Sequence, residues 1–483
     1  MNIKLSLNLI GHFLKFLGLL MLVPAVCSLI YGEDDLETFL ISAIITSVFG
    51  LTLEILTKTS EDFEELERRE AFLIASLCWL SASIFGAIPY VVFGVFENPV
   101  DAFFESVSGF TTTGASVMRD IELFPHGILF WRNLTQWLGG MGIIILGIAI
   151  LPRLAVGGMQ LMSLEVPGPT TEKLTPRITE TAKKLWVVYL LFSAIQALLL
   201  FLAGMSVYDS IVHTFSTMST GGYSTKNLSI GAFGNPYIEI VVIFFMFIAG
   251  MNFVLHYGLL RGDYKKLIRD PEFGFYLFLT IGAIIFVTLE LWMRMNPDFL
   301  DALRAASFQV VSIGTTTGFA TDNFDLWPSF SKWLLLILMF LGGCAGSTSG
   351  AIKNIRIMIL LKKCYREIHK LIYPKAVLPI RLGKKAVSEE AVSSATGFFL
   401  LYLVVFLIGT LLIMAEGASI VTAISACAAT IGNVGPGLEQ VGPTLNYAGL
   451  TSLSKIVLSL LMLLGRLELF TILVLFAPAF WRK

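Results

Sequence analysis

Apolar residues gather into ten stretches long enough to cross a bilayer, at about 8–31, 38–57, 71–96, 128–152, 183–207, 236–260, 272–295, 331–361, 391–415 and 451–478. Each stretch is continuously apolar, whereas the strands of a membrane β-barrel alternate over about ten residues, so the predicted spanning element is the helix. The expected fold class is therefore an all-α polytopic membrane protein. An even number of spans puts both termini on one side of the membrane.

The loops decide which side. One set carries Lys58, Arg68, Arg69, Arg153, Lys173, Arg177, Lys183, Lys184, Arg261, Lys265, Lys266, Arg269 and the basic run 353–385. The other carries Arg119, Lys226, Arg294 and Arg304, with Arg132, Lys332 and Lys455 where helices begin. The excess of Lys and Arg on the first set predicts cytoplasmic termini. Lys15 interrupts the first apolar stretch and no small-x-small cleavage site follows it, so that stretch reads as an uncleaved span.

The link after the first span is short (32–37), but four later links on the same side run about 28 to 36 residues. Each opens with a short apolar stretch, such as 101–110 or 209–218, and continues into a Thr/Ser/Gly sequence. That pattern predicts a re-entrant half-helix followed by an extended return. The four returns align as FTTTG ending at Gly114, MSTGG at Gly222, GTTTG at Gly318 and IGNVG at Gly435, with spacings of 108, 96 and 117 residues. Ser108, Ser216, Ser312 and Ala429 stand six positions before these glycines, and Glu105, His213, Gln309 and Ala426 nine before. The spans that follow also match, with Gly140, Gly250 and Gly343 in register with Arg466. A fourfold repeat of span, half-helix, filter-like strand and span follows from this register. The expected divisions are an N-terminal helix pair at 1–65 and repeats at 66–160, 161–262, 263–375 and 376–483.

A dehydrated monovalent cation at membrane depth needs several oxygen ligands, and strands with inward carbonyls supply them without a formal charge. Glycine permits dihedrals that turn successive carbonyls the same way, nearby Thr or Ser hydroxyls add ligands or bracing, and half-helix C-termini favour a cation. Anion selectivity would instead require cationic rings, which these loops lack.

The set SGFTTTGAS, TMSTGGYST, TTTGFATDN and TIGNVGPG resembles the TrkH/KtrB-type potassium translocating subunits of the superfamily of K+ transporters, over residues 71–478. The two leading spans resemble the extra N-terminal pair of the TrkH branch. The resemblance implies K+ uptake at a bacterial inner membrane. It implies a selectivity filter made of Thr111, Thr112, Thr113, Gly114, Ser219, Thr220, Gly221, Gly222, Thr315, Thr316, Thr317, Gly318, Gly432, Asn433, Val434 and Gly435. Within that set, Thr112, Thr113, Thr220, Gly221, Thr316, Thr317, Asn433 and Val434 are the implied K+ ligands.

The run GGCAGSTSG at 342–350 breaks an apolar segment at a depth where non-helical backbone survives only buried or lining water. Alone it reads as a kink. The resemblance makes Gly343, Gly346, Ser347, Thr348, Ser349 and Gly350 a gate under the filter, with Arg466 as a pore-facing barrier to cations. A charge at a helix centre costs roughly 2.5–3.5 kcal/mol on insertion scales, so Arg466 faces water or a partner. A structural ion pair is the other reading; Glu468, two residues on, is too far around the helix to supply it. Asn252, His256, Glu290 and Glu105 read as packing residues or half-helix braces.

Composition narrows the choice further. Hydrophobic residues make up 55% and charged residues 14% of 483, against about 25% charged in soluble domains. A formal net charge of -1 gives no reason to expect nucleic acid as a partner. Cys27, Cys78, Cys344, Cys364 and Cys427 are isolated and read as apolar fillers. The five histidines are scattered, and no HExxH, GxSxG or P-loop occurs, which argues against an intramembrane enzyme. No cofactor is expected in this chain; K+ enters as the transported ion. The basic run 362–385 reads as a positive-inside determinant or a contact for anionic lipid. The resemblance adds homodimerisation and docking of cytosolic nucleotide-binding, TrkA-like regulatory subunits. Transport coupled to H+ or Na+ remains open, with Glu105, His213, Glu290 and Glu468 as titratable candidates.

Overall fold

A computed structural model describes residues 2–58, 68–142, 178–295, 298–383 and 385–482. Among the described residues, six helices are long and apolar enough to cross a membrane unbroken: Ile3–Tyr31, Leu36–Leu56, Arg69–Phe93, Ala182–Leu202, Pro271–Arg294 and Glu389–Ala415. Their large apolar side chains lie exposed along whole faces, as on Leu36–Leu56, where Leu40, Ile44, Val48 and Ile55 all point outward. An exposed apolar face of that length suits lipid as its solvent.

The N-terminal pair packs through small residues. A Cβ on Gly11 would lie 2.7 Å from the carbonyl oxygen of Gly50, and one on Gly50 would lie 2.7 Å from that of Gly11, so neither position accepts a side chain. Lipid tails are as apolar as Leu, so such close backbone approach is what draws helices together in a membrane.

Four half-helices follow the expected pattern: Pro99–Phe110, Val207–Met218, Phe299–Gly314 and Ile420–Ile431. Each begins at a side-chain cap, from Asn98, Ser206, Asp298 and Ser419 in turn, which satisfies an otherwise orphaned helix N–H. The returning strand then leads into the second span of each repeat.

Those second spans differ from the continuous helices that hydropathy predicts. Pro236–Ala249 and Phe253–Leu260 meet at 104°, and Ser452–Arg466 and Phe470–Phe476 meet at 107°. The third second span stops at Leu338, loops through 339–353, and resumes as Asn354–Ile372. Of the expected first-repeat span 128–152, the structure describes His126–Gly140 and ends at 142; the remainder lies outside the described residues. Glu468 and Leu469, at φ +57 and +50, make the fourth-repeat bend. Beyond Asn354–Ile372 a two-residue antiparallel hairpin pairs Arg381–Leu382 with Lys385–Ala386.

Candidate functional site

The four half-helices end in one shared backbone motif. At the first, Thr113 N–H bonds the Ser108 carbonyl (2.9 Å) and Thr112 N–H that of Gly109 (3.0 Å). The second repeats this with Gly221 to Ser216 (2.8 Å) and Thr220 to Thr217 (3.0 Å), and the third with Thr317 to Ser312 (2.8 Å) and Thr316 to Ile313 (3.0 Å). The fourth has Val434 to Ala429 (2.7 Å) and Asn433 to Thr430 (3.1 Å). This is the Schellman arrangement that closes helix C-termini around a left-handed residue, a place glycine usually takes. Here Thr112, Thr220, Thr316 and Asn433 take it, at φ +54, +53, +60 and +53. A left-handed β-branched residue costs on the order of 1–3 kcal/mol, and three in register mark a backbone held by its surroundings. The serines six before each glycine act here through their carbonyls, which is why Ala429 serves in the fourth repeat.

Two residues on, the chain turns left-handed again at Gly114, Gly222, Gly318 and Gly435, with φ +79, +77, +83 and +103. Each glycine faces the next repeat. A Cβ on Gly114 would run into the carbonyl oxygen of Gly221, one on Gly222 into that of Thr317, and one on Gly318 into that of Val434. One on Gly435 would lie 2.6 Å from the oxygen of Thr113. The order one, two, three, four and back to one closes a ring, and the structure thus brings all sixteen residues from Thr111 to Gly435 named above around one axis. Asn433 Nδ2 donates to Thr113 Oγ1 (3.0 Å) and to the Met462 carbonyl (3.0 Å), tying the fourth turn to the first. Thr111 and Thr113 share a hydroxyl contact at 2.8 Å, as do Thr315 and Thr317.

Loop 343–350 lies against the left-handed residues of this ring. Thr348 Oγ1 donates to the Met218 and Ala249 carbonyls at 3.1 and 3.2 Å and accepts from Thr220 Oγ1 at 3.4 Å. Gly350 N–H donates to Thr316 Oγ1 (2.7 Å), and Cys344 N–H to the Gly250 carbonyl (2.8 Å). The loop turns at Gly346 and Ala351, φ +70 and +51. Arg466 reaches the same place: its Nη1 donates to the Thr348 carbonyl (2.8 Å), and Nη2 to those of Gly139 (2.6 Å) and Gly140 (2.7 Å). Gly343, Gly346, Ser347, Thr348, Ser349, Gly350 and Arg466 therefore form one group beside the ring. Glu468 pairs with Arg356. Of the other titratable candidates, Glu290 lies elsewhere and accepts from Ser331; His256, read as a packing residue, bonds the Ile248 carbonyl at 2.9 Å.

The brace reading of Glu105 fits its contacts. Its carboxylate accepts from Arg132 Nε (2.6 Å), Val117 N–H (2.8 Å) and Ser116 Oγ (2.9 Å), with both charged side chains buried. His213, its counterpart, bonds Ser224 Oγ at 2.9 Å.

Several residues that hold the ring or the loop were given no site role by the sequence. Arg132 donates to the Ser224 carbonyl (3.0 Å) and lies 3.4 Å over the Tyr223 ring. Tyr447 donates to the Gly435 carbonyl (2.6 Å), and Glu272 accepts from the N–H groups of Ala345 (2.8 Å) and Ile355 (2.9 Å) in and beyond the loop. Lys353 donates to the Ser349 carbonyl. Gln136 bonds the second turn at two points. The available signal was polar side chains inside apolar segments, Arg132 and Gln136 being one helical turn apart on the same face.

Comparison with known proteins agrees with this architecture. The family model described as TrkH, cation transport protein, matches residues 36–483. The "Trk system potassium uptake protein TrkH" of Halomonas elongata is 42% identical over 486 residues, covering the whole of both chains. That of Escherichia coli K12 is 41% identical over 494 residues, again with full coverage of both. A crystal structure titled as the potassium transporter TrkH from Vibrio parahaemolyticus superposes with a TM-score of 0.90 at 38% identity and full coverage of both chains.

Proposed function

Given that the chain belongs to the TrkH family of cation transport proteins, we propose that it takes up potassium through a K+-selective, gated pore whose filter is the four-turn ring. The observation that carries this reading is the cyclic closure of Gly114, Gly222, Gly318 and Gly435 onto the carbonyls of the next repeat. It puts four equivalent strands around one axis, with oxygens available to replace a cation's hydration shell and no charged ring to trap it. Relatives of full matching length carry the name potassium uptake protein.

In this reading Thr112, Thr113, Thr220, Gly221, Thr316, Thr317, Asn433 and Val434 supply the ion's ligands. Loop 343–350 closes the path below them, and Arg466 adds positive charge where a cation must pass. Opening requires the loop to leave the Thr220, Thr316 and Arg466 contacts. The functional units are the repeats 66–160, 161–262, 263–375 and 376–483, with 1–65 flanking them.

The protein works in the inner membrane of a bacterium with both termini in the cytoplasm, on the side of its basic loops. It functions as a homodimer, with cytosolic nucleotide-binding subunits docking near the basic stretch 362–385 and setting the gate. The word "system" in the relatives' names supports such subunits.

The test is ion flux into liposomes holding this purified chain alone, comparing K+, Rb+, Na+ and Li+ under an imposed potential without a pH gradient. Voltage alone drives selective K+ and Rb+ flux if the proposal holds. Flux that appears only with a proton or sodium gradient makes the protein a coupled transporter instead.

A further inference from the structure

Three of the four turns place a side chain immediately before the ring glycine: Thr113, Thr317 and Val434. The second has Gly221, and the space its side chain would fill is occupied from outside the turn. A Cβ at 221 would fall 2.6 Å from Oε1 and 2.8 Å from Nε2 of Gln136. Gln136 belongs to helix His126–Gly140 of the preceding repeat and is fully buried. Its Nε2 donates to the Gly221 carbonyl (2.6 Å), and its Oε1 accepts from Tyr223 N–H (3.1 Å). One amide thus spans the two residues either side of Gly222. Four residues earlier, Arg132 takes the Ser224 carbonyl, so a single helix face holds the second turn at three successive points.

The Gly221 oxygen is one of the four that close the ring. Its counterparts on Thr113, Thr317 and Val434 face a neighbouring glycine in the same way, and the Gly221 oxygen additionally takes a side-chain donor. A donor at 2.6 Å occupies one of the two carbonyl lone pairs and opposes the oxygen's field with its own positive hydrogen. We propose that Gln136 is a specificity-determining positioning residue for ion passage: its amide replaces the missing side chain of the second turn and sets the place and field of the Gly221 carbonyl. This rests on the ring being the filter.

The test measures the K+/Na+ flux ratio in proteoliposomes, with Gly222→Ser as the control for the filter itself. Gln136→Met, similar in size but without a donor, lowers the ratio about two- to tenfold, the worth of one hydrogen bond. Gln136→Glu, which keeps the acceptor for Tyr223 and loses the donor to Gly221, does the same. Gly221→Thr alone collides with Gln136 and loses flux or assembly; combined with Gln136→Ala it restores the pattern of the first and third turns and recovers the ratio to within about twofold of the parent. A packing role would lower yield and leave the ratio alone. An unchanged ratio in both Gln136 variants beside a changed one in Gly222→Ser overturns the inference while sparing the filter. No change in any of the three removes the filter reading and the inference together.

Discussion

The guanidinium of Arg466 donates to the carbonyl oxygen of Thr348 at 2.8 Å, and Thr348 in turn lies hydrogen-bonded to Thr220 of the ring. Arg466 stands where the other repeats have Gly140, Gly250 and Gly343, so the fourfold pattern is broken at one place, and the long side chain fills it. Its other terminal nitrogen, Nη2, takes the Gly139 and Gly140 carbonyls of the neighbouring first repeat. The same group therefore supplies positive charge and ties the loop to the first repeat.

Arg466→Ala removes both the charge and the tie and should raise K+ flux under a fixed potential. Arg466→Lys separates the two contributions, because an ammonium keeps the charge but loses the planar fork that reaches three carbonyls at once. Flux in the Lys variant should fall between the parent and the Ala variant. Equal flux in all three, at equal protein yield, would take Arg466 out of the proposed gate.

Gly114→Ser should weaken discrimination of K+ against Na+, seen as a shift of the reversal potential in mixed K+/Na+ solutions. Two penalties act at this site: the left-handed φ of +79, and a Cβ driven into the Gly221 oxygen. Gly94 separates them, since it has φ +78 but no atom within 4 Å of where its Cβ would stand. Gly94→Ser should cost about 1 kcal/mol of stability with no shift in reversal potential. A selectivity change in Gly94→Ser as large as that in Gly114→Ser would tie the effect to general backbone strain.

The repeat was legible because glycine at Gly114, Gly222, Gly318 and Gly435 answers a backbone demand that no other residue meets cheaply, and such demands survive in single letters. The left-handed turns at Thr112, Thr220 and Thr316 were not legible, since intrinsic preference argues against a β-branched residue there and only the surrounding ring overrides it; Asn433 is the one of the four whose residue type tolerates that conformation. Hydropathy also missed the bends after Ala249 and Arg466, because a window average registers apolarity and not direction. Gln136 escaped notice for a related reason. Its partners are main-chain atoms 85 and 87 positions away, which no local pattern encodes.

Glu105 and Arg132 form a buried ion pair whose loss should be felt mainly as instability. Glu105→Ala leaves the guanidinium without its carboxylate partner among buried residues, a change worth about 3–5 kcal/mol. Glu105→Gln keeps an acceptor for Arg132 Nε and should cost less. Replacing both, as Glu105→Gln with Arg132→Met, should recover part of the loss but not all, because Arg132 also holds the Ser224 carbonyl and covers the Tyr223 ring. Melting temperatures of the three purified proteins in one detergent decide the order. A double variant less stable than Glu105→Ala would contradict the pairing argument.

Glu439, in the turn after the fourth strand, accepts from the Ser419 and Thr422 hydroxyls at the start of half-helix Ile420–Ile431. The Ser419 hydroxyl, then that of Thr422, with the charge of Lys332 adding less, holds the Glu439 carboxyl below its ordinary value of 4.5. An acid lowered on folding stabilises the fold above its unfolded pKa and gives that up as pH falls through the lower folded pKa. The carboxylate therefore secures this helix start at neutral pH and releases it in acid, below 4.5. Because the group is largely exposed, the contribution is a few tenths of a kcal/mol after solvent screening. Glu439→Gln should speed amide hydrogen exchange at the first turn of the half-helix at about pH 7, as protection of that turn against the parent would reveal. The difference should shrink as pH drops below 4.5, where the parent carboxyl takes up its proton. A difference that persists undiminished in acid would mean that the side chain acts by shape and not by charge.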